Sequence, residues 1–223
     1  MCSEEEPVLN PAEAPLRLGV LASGRGSNLQ SILEAIEHGV LSARVAAVIS
    51  NKKEAQALER AARYQIPAFF LDPSHYPNRE AYDTAILQRL QEYQVNFVVL
   101  AGYMRLLTPT LIEPYRQRII NIHPSLLPAF PGMRAHRQAL EYGVRVSGCT
   151  LHFVDEEMDH GPIIAQAAVP VMEGDTEEQL SERILVEEHR LLPQVLQLYA
   201  EGKLKIEGRK VFIQEGASVR SPR

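Results

Sequence analysis

Short apolar runs alternate with segments of helical periodicity through the first half of this chain, and that alternation restricts the fold more than any other feature. Leu16–Ala22, Val45–Ser50, Ala68–Leu71, Phe97–Ala101 and Arg118–His123 read as strands. Between them, Asn28–His38, Ala55–Tyr64, Arg79–Tyr93 and Thr108–Tyr115 place apolar residues three and four positions apart, the spacing of one helix face. Strands separated by helices pair through right-handed crossovers, which produce a parallel sheet. Val98-Val99-Leu100 is apolar on both faces, as a strand covered from both sides requires. The expected class is α/β: a mostly parallel twisted sheet with helices on both faces and a Rossmann-like N-terminal half.

The pattern changes after His123. Pro124, Pro128 and Pro131 with Gly132 break any regular element and force an irregular loop. A helix near Ala135–Tyr142, extended stretches Ser147–Phe153 and Pro162–Val171, and a long helix Thr176–Tyr199 with Asp175 as its N-cap complete the reading. Residues 1–14, with Pro7 and Pro11 among glutamates, are expected to be a disordered acidic leader. Residues 15–214 are expected to form a single domain and 215–223 a disordered tail.

Charge and cysteine content exclude several function classes. Acids outnumber bases 28 to 23, and Glu4, Glu5, Glu6 and Glu13 lie in the leader, leaving the rest of the chain at −1. That balance argues against a nucleic-acid protein whose affinity rests on neutralising phosphates. Cys2 and Cys149 cannot build a disulfide framework, and neither belongs to a Cys-x-x-Cys pair. No run approaches the ~18 apolar residues of a membrane span, and the N-terminus has the features of neither a signal nor a transit peptide. These traits point to a soluble protein of a reducing cytoplasm with small-molecule partners and no membrane. Monomer and homodimer are equally compatible with them.

Three stretches carry chemistry. The first strand ends in Ser23-Gly24-Arg25-Gly26-Ser27-Asn28-Leu29-Gln30 and enters a helix directly. Glycines allow close backbone approach, and a helix N-terminus offers unpaired N–H groups to an anion. Leu29 stands where a dinucleotide fingerprint has its third glycine, and the second strand ends in Ser50-Asn51 without a ribose-binding acid. A P-loop is excluded because Gly-Lys-Ser/Thr is absent. Ser27 and Asn28 suit a phosphate monoester; the plainer alternative is a strand–helix turn capped by Ser27.

The second stretch is Asn121-Ile122-His123-Pro124-Ser125-Leu126-Leu127-Pro128. Strand alternation points Asn121 and His123 to one face at the carboxyl end of a strand, where parallel sheets bind ligands. An amide donor beside an imidazole suits acyl transfer: one group stabilises an oxyanion and the other moves a proton. The third stretch runs from His152 to Pro162 and packs four acids and two histidines. Its spacing matches no zinc pattern, so no metal is expected. Asp155, Glu156 and Glu157 read as a solvated turn, whereas Gly161-Pro162 could aim Asp159 inward.

Together these motifs make the chain resemble the phosphoribosylglycinamide formyltransferase family from about Leu16 to about Phe212. Ser-Gly-x-Gly-Ser-Asn-Leu-Gln, Asn-Ile-His-Pro-Ser-Leu-Leu-Pro and Asp-x-Gly-Pro carry the resemblance. It implies the formyltransferase fold, with a nucleotide half over about 15–115 and a folate and catalytic half over about 116–214. It also implies 10-formyltetrahydrofolate as co-substrate and transfer of its formyl group to the amine of glycinamide ribonucleotide, with no metal. Asn121, His123 and Asp159 would be the catalytic trio, with Asp159 keeping His123 protonated. Gly26, Ser27, Asn28, Leu29 and Gln30 would hold the substrate phosphate, and Glu188 would contact the nucleotide. Arg79, Met104, Arg105, Leu106 and Leu107, with Asn121, would meet the folate.

His160 stands where that family more often has a small residue, which leaves open whether it faces solvent or changes how Asp159 is held. Related formyl-folate enzymes fit less well. A deformylase would carry an extra N-terminal domain and a different residue after the His. A methionyl-tRNA formyltransferase would need a further C-terminal domain and a basic surface. A non-catalytic phosphate-binding module would have no need of the trio.

Overall fold

The computed structural model describes residues 15–214 and Val219. The expected leader, and all of the expected tail except Val219, lie outside the described residues.

Nine strands form one sheet in the order β3-β2-β1-β4-β5-β6-β7-β9-β8. β1 (Leu16–Leu21), β2 (Ala43–Ser50), β3 (Ala68–Phe70), β4 (Phe97–Leu100) and β5 (Ile119–His123) pair in parallel. The helices between them are α1 (Ser27–Glu37), α2 (Gln56–Arg63), α3 (Arg79–Glu92) and α4 (Pro109–Ile112). Then α5 (Ala135–Tyr142) precedes β6 (Val146–Phe153) and β7 (Ile163–Pro170), which extend the sheet antiparallel. The long α6 (Glu177–Ala200) follows, and a hairpin of β8 (Leu204–Glu207) and β9 (Lys210–Ile213) closes the far edge.

Alternation along the strands feeds two cores. Leu18 and Val20 of β1, Phe97 and Val99 of β4, and Ile120 and Ile122 of β5 pack with Leu29 and Ile32 of α1 and with Ile184, Leu191 and Leu196 of α6. Val98, Leu100 and Ile119 point oppositely and meet Tyr82, Ile86 and Leu90 of α3 with Leu111 and Ile112 of α4. The helices α1, α2, α5 and α6 therefore cover one face, and α3 and α4 the other.

Four local expectations are corrected. The N-cap of α1 is Gly26, in the left-handed region at φ 69°, rather than Ser27. Asp175 does not cap α6: Thr176 does, in a capping box with Gln179, while the Asp175 carboxylate pairs with Arg183 at 2.8 Å. The segment Thr108–Tyr115 is not one helix but α4 followed by a 3-10 turn at Glu113–Tyr115, where Pro114 supplies no N–H. The β8–β9 hairpin has no counterpart in the expected elements. By contrast, α6 continues through Pro193, because the buried Leu191, Leu192, Val195 and Leu196 hold the helix against the sheet.

Candidate active site

In the order β3-β2-β1-β4-β5, the chain turns back between β1 and β4, and ligands of such sheets bind outside the carboxyl ends beside that reversal. Three loops leave from neighbouring strand ends there: the Gly-rich turn after β1, Ala101–Leu107 after β4, and the proline-rich loop after β5.

The Gly-rich turn is shaped by close packing at one glycine. A Cβ on Gly26 would lie 2.7 Å from Ala57 Cα, whereas one on Gly24 would meet nothing within 4 Å. The first N–H groups of α1 cannot be satisfied within the helix and are free for an anion. Asn28 is buried and donates Nδ2–H to Glu188 Oε2 at 2.7 Å, linking the start of α1 to the middle of α6. Burial pushes the Glu188 carboxyl up to about 7, against the opposing pull of the Asn28 bond and Arg25. The Leu29 side chain is core. Gln30 turns toward α2, accepting from Arg60 at 3.0 Å and donating to Tyr64 at 3.0 Å. An open groove of about 570 Å³ between α1, α2 and α6 borders Ser27 and Gln30.

The loop after β4 is fastened to both neighbours. Met104 N–H donates to Ser23 Oγ at 2.9 Å, and Ser23 Oγ donates to Asn51 Oδ1 at 2.6 Å. From α3, Asp83 accepts from Thr108 N–H at 2.6 Å, and Arg79 donates to the Leu106 carbonyl at 3.3 Å. Arg105 lies over the Tyr82 ring, 5.0 Å from its centroid. Leu107 is buried in the second core, whereas Met104 and Leu106 are more than half exposed and form an apolar rim.

Asn121 and His123 follow Ile119 on one face of β5, and the antiparallel register sets His152 beside Asn121 and Thr150 beside His123. Asp159 arrives from the loop between β6 and β7 and completes a contiguous cluster. Its Oδ1 accepts from Asn121 Nδ2 at 3.2 Å, its Oδ2 accepts from Gly132 N–H at 2.7 Å, and Oδ2 lies 3.4 Å from His123 Nδ1. The His123 Nε2–H donates to the Phe130 carbonyl at 2.9 Å. Both ring nitrogens thus face acceptors. Asp159 itself has φ 51°, a left-handed conformation uncommon outside glycine and of the kind that concentrates at functional sites.

Sequence reading assigned no role to His152. It is buried, its Nδ1–H donates to the Phe153 carbonyl at 2.9 Å, and its Nε2 therefore accepts from Asn121 Nδ2 at 3.2 Å. Burial lowers its pKa and keeps it neutral, despite the opposing Phe153 bond and Asp159 charge. This contact fixes the Asn121 amide with its N–H groups toward the site. The alternation of Thr150 and His152 against Leu151 and Phe153 was a visible signal; the partner strand was not.

Residues 16–196 match the family described as Formyl transferase. Phosphoribosylglycinamide formyltransferase of Escherichia coli is 44% identical over 198 residues, covering 89% of this chain and 93% of that protein. The trifunctional purine biosynthetic protein adenosine-3 of Drosophila pseudoobscura pseudoobscura is 47% identical over 191 residues, which are 85% of this chain; the chain spans only 14% of that longer protein. The crystal structure of glycinamide ribonucleotide transformylase 1 from Symbiobacterium toebii superposes with a TM-score of 0.89 at 56% identity, covering 90% of this chain and 95% of that one. With its Asn121–His123–Asp159 cluster at the carboxyl edge of the sheet, the chain belongs to the formyl transferase family.

Proposed function

We propose that this protein is a phosphoribosylglycinamide formyltransferase, moving the formyl group of 10-formyltetrahydrofolate to the amine of N1-(5-phosphoribosyl)glycinamide in purine synthesis. The observation that carries this reading is the convergence of Asp159 on Asn121 and His123, from a loop more than thirty residues away, between the Gly-rich turn and an apolar rim.

The amine attacks the formyl carbon directly, forming the new C–N bond and placing negative charge on the carbonyl oxygen. Asn121, oriented by His152, turns an N–H from Asp159 to that oxygen. His123 as an imidazolium, its ring held by the Nε2–H bond to the Phe130 carbonyl, turns its Nδ1–H from Asp159 to the same oxygen as a charged donor. Collapse of the tetrahedral centre breaks the bond to the folate nitrogen, which takes its proton from His123. Asp159 receives the proton lost by the amine, directly or through water. The phosphate rests on the N–H groups at Gly26, Ser27 and Asn28, with Leu29 and Gln30 adding backbone contact, and Glu188 holds the nucleotide. The folate lies along Met104 and Leu106 over a loop supported by Arg79, Arg105 and Leu107. Residues 15–214 act as one catalytic unit. The acidic balance and the absence of a disulfide framework support a cytoplasmic enzyme of small molecules.

A spectrophotometric assay of 10-formyltetrahydrofolate consumption, with and without the nucleotide, tests the reading. Consumption should require the nucleotide and yield its N-formyl product. Consumption without it would make water the acceptor and the protein a deformylase.

A further inference from the structure

Asp159 holds a left-handed backbone in a loop whose inner side faces His123 and Asn121. The next residue, His160, points outward, with its side chain about half exposed. Its carbonyl accepts from Arg209 Nη2 at 2.7 Å. Its ring is held as well: Nδ1 lies 3.0 Å from Asp155 Oδ2, and Arg209 Nη1 lies 2.7 Å from Nε2 and 3.2 Å from Nδ1. Because a carboxylate only accepts, Nδ1 carries the proton and Nε2 accepts from Arg209. Glu157 adds a second carboxylate 4.0 Å from Nδ1.

Arg209 sits in the turn between β8 and β9, and the pairing of Lys210 with Ile163 brings that turn alongside the loop. One guanidinium therefore grips backbone and ring of the residue beside Asp159, while Asp155 ties that ring to the loop's other arm. On the inner side Gly161 packs closely on β6 with no room for a side chain, since a Cβ there would meet the Phe153 carbonyl oxygen.

We propose that Arg209 is a positioning residue for formyl transfer, acting through His160 to keep the Asp159 carboxylate against His123 and Asn121. The proposal rests on the catalytic role assigned to Asp159. An exposed network of this kind adds little to global stability, so its effect is on geometry. Displacing a catalytic group by about 1 Å can cost ~100-fold in rate, and loosening one anchor of this loop should cost about tenfold.

The test compares Arg209→Ala, Arg209→Lys and, as a control on the same hairpin, Lys205→Ala, which removes only the 2.7 Å ion pair with Glu207. Arg209→Ala should lower kcat about tenfold, with KM for the nucleotide within about twofold and Tm within about 4 °C of wild type. Arg209→Lys, which cannot serve the carbonyl and the ring together, should fall between, and Lys205→Ala should match wild type. In an Asp159→Ala background, Arg209→Ala should bring no further loss. Unchanged kcat in Arg209→Ala, or an undiminished Arg209 effect in the Asp159→Ala background, overturns the positioning role while leaving the trio intact. Wild-type kcat in Asp159→Ala alone would overturn the catalytic reading itself and this proposal with it.

Discussion

The polar side chains around the site are placed by constraints of different range. Asn121 and His123 follow from strand alternation and the end of an apolar run, so both were legible in the sequence. His152 was not, because its meeting with Asn121 depends on an antiparallel register between segments 31 residues apart. The contact between Asn28 and Glu188 spans 160 residues, and only the family resemblance singled Glu188 out. That buried carboxyl makes a prediction of its own. Its folded pKa, about 7 against an ordinary 4.5, means the folded chain keeps a proton that the unfolded chain releases between those values. The associated stability is fully present below about pH 4.5 and is lost as pH rises through about 7. Glu188→Gln retains an oxygen for Asn28 and cannot ionise. It should match wild type near pH 4.5 and exceed it by up to about 3 kcal/mol at pH 8.5, measured by urea denaturation. A difference independent of pH would contradict the assignment.

At the scale of elements, the regular pieces were readable and the loops were not. Apolar periodicity marked α1, α2 and α3, and the sequence also placed α5 and α6. The left-handed conformations of Phe130 and Arg134 fall on residue types that favour other geometry, so nothing in their local sequence announced them. The Gly-rich turn offers a sharper contrast. Gly26 combines φ 69° with a Cβ path into Ala57, so Gly26→Ala should lose roughly 2–4 kcal/mol from backbone strain and overpacking. Gly24 opens to solvent, and Gly24→Ala should change stability by no more than about 0.5 kcal/mol. Denaturation midpoints of the two variants decide the matter: similar losses would mean the turn is not shaped by packing at Gly26.

Across the whole molecule, one sheet joins the Gly-rich turn, the loop after β4 and the strand end that carries Asn121 and His123. The parallel half was expected from alternation alone, whereas its reversal between β1 and β4 came only with the strand order. The antiparallel extension and the β8–β9 hairpin were less legible, since short half-exposed strands such as Leu204–Glu207 lack a distinctive apolar run. That hairpin nevertheless reaches the loop carrying Asp159. The central claim is that Asn121, His123 and Asp159 perform chemistry on substrates bound by other elements. Single-turnover formyl transfer, measured beside calorimetric titration with the nucleotide, tests it most directly. His123→Ala should slow transfer roughly 10²–10⁴-fold and Asn121→Ala roughly 10²–10³-fold, each with nearly wild-type nucleotide affinity. Transfer at the wild-type rate in either variant, or a loss fully explained by weaker nucleotide binding, would contradict the account.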